Sequence, residues 1–580
     1  MAWRISLFLL LITSGHAVQI LAADAIQAPG NPATSAAALE VPDNISNVGL
    51  QPIDWVLITI YACSTIGLGW YYSRRQQTTQ EYFVGSGTMH PMLIGVSLFA
   101  TLLSTITYLA APGEMLGKGP VVLASKLSLP FAYAFVGYCL LPIYMKQRVT
   151  SAYELLETRL GLGIRLLGAT MFILLRLVWM SLLVYLAAKA MIVMMGIDEK
   201  WIWLVVMITG AISVTYTTLG GLRAVVITDL IQTCLLFSGA LLVIATVTYE
   251  FGGFGWFPTS WHENWDTQPI FSLDPQTRVT FVGSFLSVLV WFIATSGGDQ
   301  TSIQRFMATK DARAARRAYA TQLTVSVLVT VILSLVGCAL LAHAERNVTL
   351  LPDGFDLKQN ADDVFPWYIA YRLPMGISGL VVSAMFAAAM SSIDSGVNSI
   401  TAVVTTDLFD RFGLRPQTVK GHLRCARLLA LGIGTLVVIG SSYMEHIPGN
   451  ITAVTSKTNN LLVTPIFCLF FFAVLVPFAK PAGVLAGAVC GTTVAALIAF
   501  SGPLTYLLYD QFGIDPTMFG TELIEMQDKV TGEIKNSCND PVSFQWIGPI
   551  ALIVNIATGT IVSLIQSAFQ TPSRVRHESS

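Results

Sequence analysis

Ser391, Ser392 and Ser395 follow the small-residue run Ala387-Ala388-Ala389. On a helix, Ala388, Ser391, Ser392 and Ser395 fall at i, i+3, i+4 and i+7, so they form one polar stripe. Two chemistries suit such a stripe. Small residues admit close helix packing and hydroxyls bond across it; alternatively, the oxygens complete a cage of hard donors for an alkali ion. The spacing favours neither. Two apolar segments also break in the middle, at Leu103 to Gly113 (LSTITYLAAPG) and at Ala294 to Gln300 (ATSGGDQ). A bilayer excludes unpaired backbone groups unless they face protein or a cavity, so the groups freed at these breaks read as ligands for something small held near the midplane.

Charges buried in apolar helices cost at least about 2.5–3.5 kcal/mol each, and each needs a reason. The candidates are Lys126, Arg176, Lys189, Asp229, Asp299, Asp394 and Lys457. Lys189 is placed to snorkel, and Asp299 reads either as part of a site or as a solvated helix end. Arg176, Asp229 and Asp394 lie deeper. The seven histidines include no pair at i,i+3 or i,i+4, so no transition-metal site is expected. No HExxH or GxSxG stands in a catalytic context and no nucleotide-binding signature occurs, which argues against an enzyme or an ATP-driven pump.

The elements that must position these residues are membrane helices. Hydrophobic residues make up 54% of the 580 and charged residues only 12%, against about 25% charged in a soluble domain. Apolar stretches able to cross about 30 Å of hydrocarbon fall near 53–73, 89–113, 119–145, 163–196, 200–218, 222–250, 277–297, 318–343, 376–405, 421–442, 452–478, 482–502 and 545–569. The fold expected is an all-α polytopic membrane protein with about 13 transmembrane helices.

Twenty of the 33 basic residues fall in one set of alternate loops, among them Arg74, Lys146, Arg148, Arg159, Arg165, Arg305, Arg411 and Arg427. By the positive-inside rule that face is cytoplasmic, with the N-terminus outside and the C-terminus inside. Residues 1–25 read as a signal peptide, with an uncleaved extra helix as the alternative, and 26–50 as a flexible external tail, followed by a core over 51–480. Residues 481–580 supply two further helices, an external loop and a short tail. The location expected is the plasma (inner) membrane, with the lipid bilayer as a partner and no nucleic acid.

Four groups of residues resemble one family. They are Thr218-Leu219-Gly220-Gly221-Leu222-Arg223-Ala224-Val225 with Thr228-Asp229-Leu230-Ile231-Gln232; Asp299-Gln300 with Gln304-Arg305; Ser391-Ser392-Ile393-Asp394-Ser395 with Asn398-Ser399 and Thr406-Asp407; and Gly137 to Tyr144 followed by Ser151 to Gly161. From about residue 53 to 478 the chain is similar to the sodium/solute symporter family, which includes sodium/glucose, proline, iodide, monocarboxylate and sialic acid transporters. The resemblance implies a LeuT-type five-plus-five inverted repeat, made of the second to sixth and seventh to eleventh helices.

Carried over residue by residue, the resemblance places the family's common sodium site on the backbone carbonyls of Ala100, Leu103 and Ala388 and the hydroxyls of Ser391 and Ser392. Asp229 resembles the carboxylate that relatives use for a further sodium ion or for inner gating, and Asp394 is placed with it as a coupling residue. Sodium is the only metal expected, as coupling ion, and no cofactor is expected. The solute candidates are Ser104, Thr105, Thr107, Lys126, Arg176, Thr295, Asp299 and Gln300.

Here the chain departs from the sugar carriers. Lys126 stands where they have a sugar-binding glutamate, Thr295 near their gating tyrosine and Thr107 near a glutamine. The run Ser104-Thr105-Ile106-Thr107-Tyr108 looks more like the carboxylate-carrying branches. Lys126 would add positive charge, or pair with Glu114 or a carbonyl. The expectation is sodium-coupled symport of an anionic, carboxylate-bearing solute by alternating access. The alternatives are a sodium/sugar or polyol carrier and, from another class, a transport-like sensor or channel.

Overall fold

The computed structural model describes residues 50–569, apart from 75–77, 86, 104, 268–269, 278, 348–356, 359, 415, 445–450 and 528–533. The expected signal peptide, residues 26–49 of the expected tail and Ser104 lie outside the described residues.

The helices used below are α1 (Pro52–Ser73), α2 (Pro91–Leu102), α3 (Thr105–Lys118), α4 (Leu162–Met195), α5 (Ile202–Glu250), α6 (Phe281–Gly298), α7 (Gln300–Met307), α8 (Ala312–Arg346) and α9 (Ala361–Tyr371). They continue with α10 (Ile377–Val403), α11 (Val419–Ser441), α12 (Ile451–Leu475), α13 (Pro481–Ala499) and α14 (Ile547–Phe569). Their ends follow local chemistry. Proline opens α1, α2 and α13, where its missing N–H costs nothing. Thr280, Asp311 and Thr418 cap α6, α8 and α11 by accepting the amides of Gly283, Ala314 and Gly421 at 3.0, 2.8 and 3.1 Å.

Among the described residues eleven helices are long and apolar enough to cross a membrane, and the α2–α3 pair, bent by 68°, makes twelve. The chain is a multi-pass membrane protein. The 49 residues of α5 would run about 73 Å if straight, more than twice the hydrocarbon thickness. Instead the helix breaks at Gly221, whose φ of 58° and ψ of −172° favour a residue without Cβ. Ser213 and Thr217 before the break, and Asp229 after it, meet one turn of α10 at Asp394 and Ser391, which places both halves of α5 along the same stretch. The expected thirteen crossings follow if this folded-back helix counts twice.

The axis of the molecule is α10, buried along almost its whole length and packed by α5, α4, α1 and α11. Its start is pinned from α1, where the buried Asp54 carboxylate accepts the amides of Gly376 and Gly379, both at 2.8 Å. The last pair, α13 and α14, packs on itself and on α12. The all-α expectation needs one amendment: before α14, Leu523–Gln527 and Ile534–Cys538 form an antiparallel hairpin with Leu523 opposite Cys538.

Basic residues expected to share a face do meet on one face. Arg411 bonds Glu157 at 2.7 Å, Arg159 reaches the carbonyl of Pro477 at 2.8 Å, Arg427 that of Ser73 at 3.1 Å and Arg148 that of Lys310.

Candidate functional site

Both sequence breaks are present, and they differ in chemistry. In the first, α2 stops at Leu103, which is extended at φ −80° and ψ 108°, and the chain turns into α3 facing α10. Ala100, Leu103, Ala388, Ser391 and Ser392 are all buried. The two sides touch through Thr101 Oγ1 and Ser395 Oγ at 2.8 Å, Ser392 Oγ donating to Thr101 O at 3.5 Å, and Thr105 Oγ1 donating to Met385 O at 3.3 Å. The five proposed sodium ligands therefore lie on two strips that face one another, on opposite sides of the break. Thr107, one turn further, is exposed.

Asp229 stands at one end of this interface, fully buried on the second half of α5. Its carboxylate accepts Ser391 Oγ and Ser97 Oγ, each at 2.5 Å. The Arg305 guanidinium stands 3.6 Å away, with Nε donating to Ser97 Oγ at 2.8 Å, Nη1 to Thr301 O at 3.1 Å and Nη2 to Ser395 Oγ. Asp229 thus shares a serine with the proposed ion site and a cation with α7. Asp394, one turn along α10, accepts Ser213 and Thr217 hydroxyls on Oδ1, while its Oδ2 has no partner among the described residues.

In the second break α6 ends at Gly298, whose added Cβ would lie 2.6 Å from the Cα of Phe467, so only glycine lets α12 approach there. Asp299 then caps α7 by accepting Thr301 N at 2.8 Å and pairs with Arg176 of α4. Asp299 is 3% exposed and Arg176 5% exposed, which removes the solvated-helix-end reading. It also leaves each charge engaged by the other rather than presented to a solute. The side-chain amide of Gln300 accepts Ala152 N at 2.6 Å and donates to Thr150 O at 2.8 Å, so its partners are the turn before Glu154–Leu160 rather than an open site. Thr295 is buried with a hydroxyl that has no partner among the described residues, and Lys126 is half-buried on a 3₁₀ stretch, Pro120–Ser128, that packs along α6. Of the other intramembrane charges, Lys189 reaches Glu199 at 3.9 Å and Lys457 pairs with Asp540.

Two groups of functional candidates escaped the sequence reading. Arg305 and Arg165 counted there as basic loop residues, yet Arg305 is fully buried and Arg165 is 7% exposed. Arg165 Nε donates to Asp407 Oδ1 at 2.7 Å and Nη1 to Glu157 Oε2 at 2.5 Å, while Ser151 donates to the other oxygen of Asp407. Bonds from Arg411, then Arg165, hold the Glu157 carboxyl below its usual range. With Gln300 on Thr150 and Ala152, this network closes the basic face beneath the second break. The signal available in sequence was the pairing of Gln304-Arg305 and Thr406-Asp407 with the other motifs.

A helical membrane protein with two interrupted helices, an oxygen-lined interface at the first and an ion-paired closure at the second is a secondary transporter. The chain belongs to the sodium:solute symporter family, whose model matches residues 82–491. It is 28% identical over 479 residues to the sodium/sialic acid symporter NanT of Aliivibrio fischeri, covering 80% of this chain and 90% of that protein. It is 26% identical to the sodium/sialic acid symporter SiaT of Proteus mirabilis, covering 80% and 92%. To sodium-coupled monocarboxylate transporter 1 of Xenopus laevis it is 24% identical over 562 residues, covering 91% and 88%. The fold matches the substrate-bound outward-open structure of a Na+-coupled sialic acid symporter with a TM-score of 0.70 at 24% identity, covering 88% of this chain and 98% of that one. The fold is therefore the LeuT-type one expected, and the activity is sodium-coupled symport of a small organic solute.

Proposed function

We propose that the chain carries a carboxylate-bearing solute into the cell across the plasma membrane, N-terminus outside, with sodium held between the first break and α10. The observation that carries this reading is the shared serine: Ser391 belongs to the proposed cage of Ala100, Leu103, Ala388 and Ser392 and also bonds Asp229. One ion site and one carboxylate are thereby joined through a single hydroxyl. The solute would lie between the first break, at Thr105 and Thr107, and Thr295 of α6, with Lys126 supplying positive charge and the half-helix N-terminus of α3 favouring an anion. Relatives named for sialic acid and for monocarboxylates support an acid over a neutral sugar.

Energetics favour a second sodium for such a solute. One sodium ion gains about 2.3 kcal/mol from a 100 mV potential and about 1.4 kcal/mol from a tenfold gradient. Accompanied by one monoanion it moves no net charge, so only about tenfold accumulation remains. A second ion restores the voltage contribution. Asp229, and Asp394 beyond it, are the carboxylates placed to influence that ion.

The test is uptake into proteoliposomes of N-acetylneuraminate, pyruvate, glucose and an uncharged polyol, with and without a sodium gradient. Concentrative uptake of an acid, weakened far more by Lys126→Ala than sodium binding is, supports the reading. Concentrative uptake of glucose or the polyol alone points to the sugar carrier instead, and sodium flux without accumulation points to a channel.

A further inference from the structure

On the face opposite the basic one, the ends of α5, α8 and α9 line an open cavity of about 290 Å³ formed by Glu250, Phe251, His343, the exposed Arg346, Asn347 and Arg372. Its charge is unbalanced. Two guanidiniums stand against one carboxylate, and among the described residues neither arginine makes an ion pair. Glu250 is engaged elsewhere, with its Oε2 2.8 Å from His343 Nδ1. Facing a carboxylate, Nδ1 carries the proton and donates.

The remaining polar contacts are weak or local. Arg346 Nη1 reaches only the backbone oxygen of Glu250, at 3.5 Å, and Asn347 Nδ2 lies 2.9 Å from His343 O and 3.4 Å from Nδ1. Two buried nitrogens have no partner among the described residues: Arg372 Nε, a donor, and His343 Nε2, which with the proton on Nδ1 is an acceptor. A buried donor without an acceptor is costly, and guanidiniums match the geometry of carboxylates. Aromatic rings flank both: Arg346 lies 5.0 Å from the centroid of Phe251 and Arg372 6.0 Å from that of Trp367. Phe251 beside Arg346 gives the otherwise polar cavity one apolar wall, which an organic anion can cover and a strongly hydrated inorganic one cannot.

We infer that this cavity is a second binding site, for a small organic monocarboxylate, at the outer mouth of the transporter. It is separate from the central site, because Glu250 lies 21 residues beyond Asp229 on α5, about 30 Å at helical rise. A net positive cavity raises the local concentration of anions, so it serves as a collecting site for the solute. The role in collection rests on the anionic-solute reading above; the binding itself does not.

The test uses the full-length protein in detergent with pyruvate as probe and saturation-transfer NMR as readout, in choline buffer so that the central site lacks its sodium. Wild type is expected to bind pyruvate at millimolar concentration and not to bind acetamide. R346Q/R372Q should weaken pyruvate at least tenfold. R346K/R372K, which keeps both charges, should retain a measurable part of the signal. Arg424→Gln, an exposed cation on α11, should bind as wild type does. No pyruvate signal in wild type, a glutamine pair that binds as wild type does, a silent lysine pair, or equal loss in Arg424→Gln would each overturn the site. Should the solute panel show that only neutral solutes are carried while pyruvate still binds and depends on the two arginines, the outer site stands and the central reading falls.

Discussion

The two breaks are built from similar sequence, hydroxyls and glycine in an apolar run, yet they are held by forces of different size. Across the first, the contacts between 101–105 and α10 are single hydroxyl bonds of 2.8 to 3.5 Å with no charge among them. Bonds of that kind contribute about 1 kcal/mol each and are readily exchanged for an ion. Across the second, a buried ion pair joins Arg176 to Asp299, and the amide of Gln300 holds the turn at 150–152. One break is suited to binding and release, the other to holding the frame until the basic face opens.

The largest expected effect separates them by stability. Arg176→Leu leaves Asp299 buried without its partner, which costs about 3–5 kcal/mol, and the thermal unfolding midpoint should fall sharply. Adding Asp299→Leu should recover most of the loss. A single variant as stable as wild type would break the contrast.

Next is Ser391→Ala with Ser392→Ala, which removes two oxygens from the proposed cage while the protein still inserts; the buried Asp229 carboxylate also loses a donor, so the unfolding midpoint should fall modestly. At about 1 kcal/mol for each hydroxyl, the sodium needed for half-maximal uptake should rise on the order of 30-fold. Unchanged sodium activation would remove the serines from the site.

The smallest effect sharpens the second break. Gln300→Ala deletes two hydrogen bonds, so hydrogen exchange over 150–160 should quicken by about 10- to 30-fold with little change in solute affinity. Weaker solute binding with unchanged exchange would return Gln300 to the solute site.

The parts legible in sequence were those whose cause is local. Hydroxyls and glycines at 103–113 and 294–300 mark breaks because they interrupt apolar runs, and the serine stripe is fixed by helical spacing. The partners were not legible. Asp299 stayed open between a site residue and a helix end because Arg176 lies 123 residues away, and Arg305 read as a loop cation because its acceptors, Ser97 and Ser395, sit on two other helices. The division of α5 at Gly221 was legible, since the sequence already separates 200–218 from 222–250, whereas the hairpin at 523–538 was hidden in a loop read only for polarity.

The most direct test of the account is the reversal potential of sodium-coupled solute current in proteoliposomes, for wild type and Asp229→Asn. The account predicts more than one sodium per monoanionic solute in wild type, and in the variant a lower ratio with sodium still bound at Ser391 and Ser392. The same sodium-to-solute ratio in both proteins would contradict it and leave Asp229 a structural or gating residue.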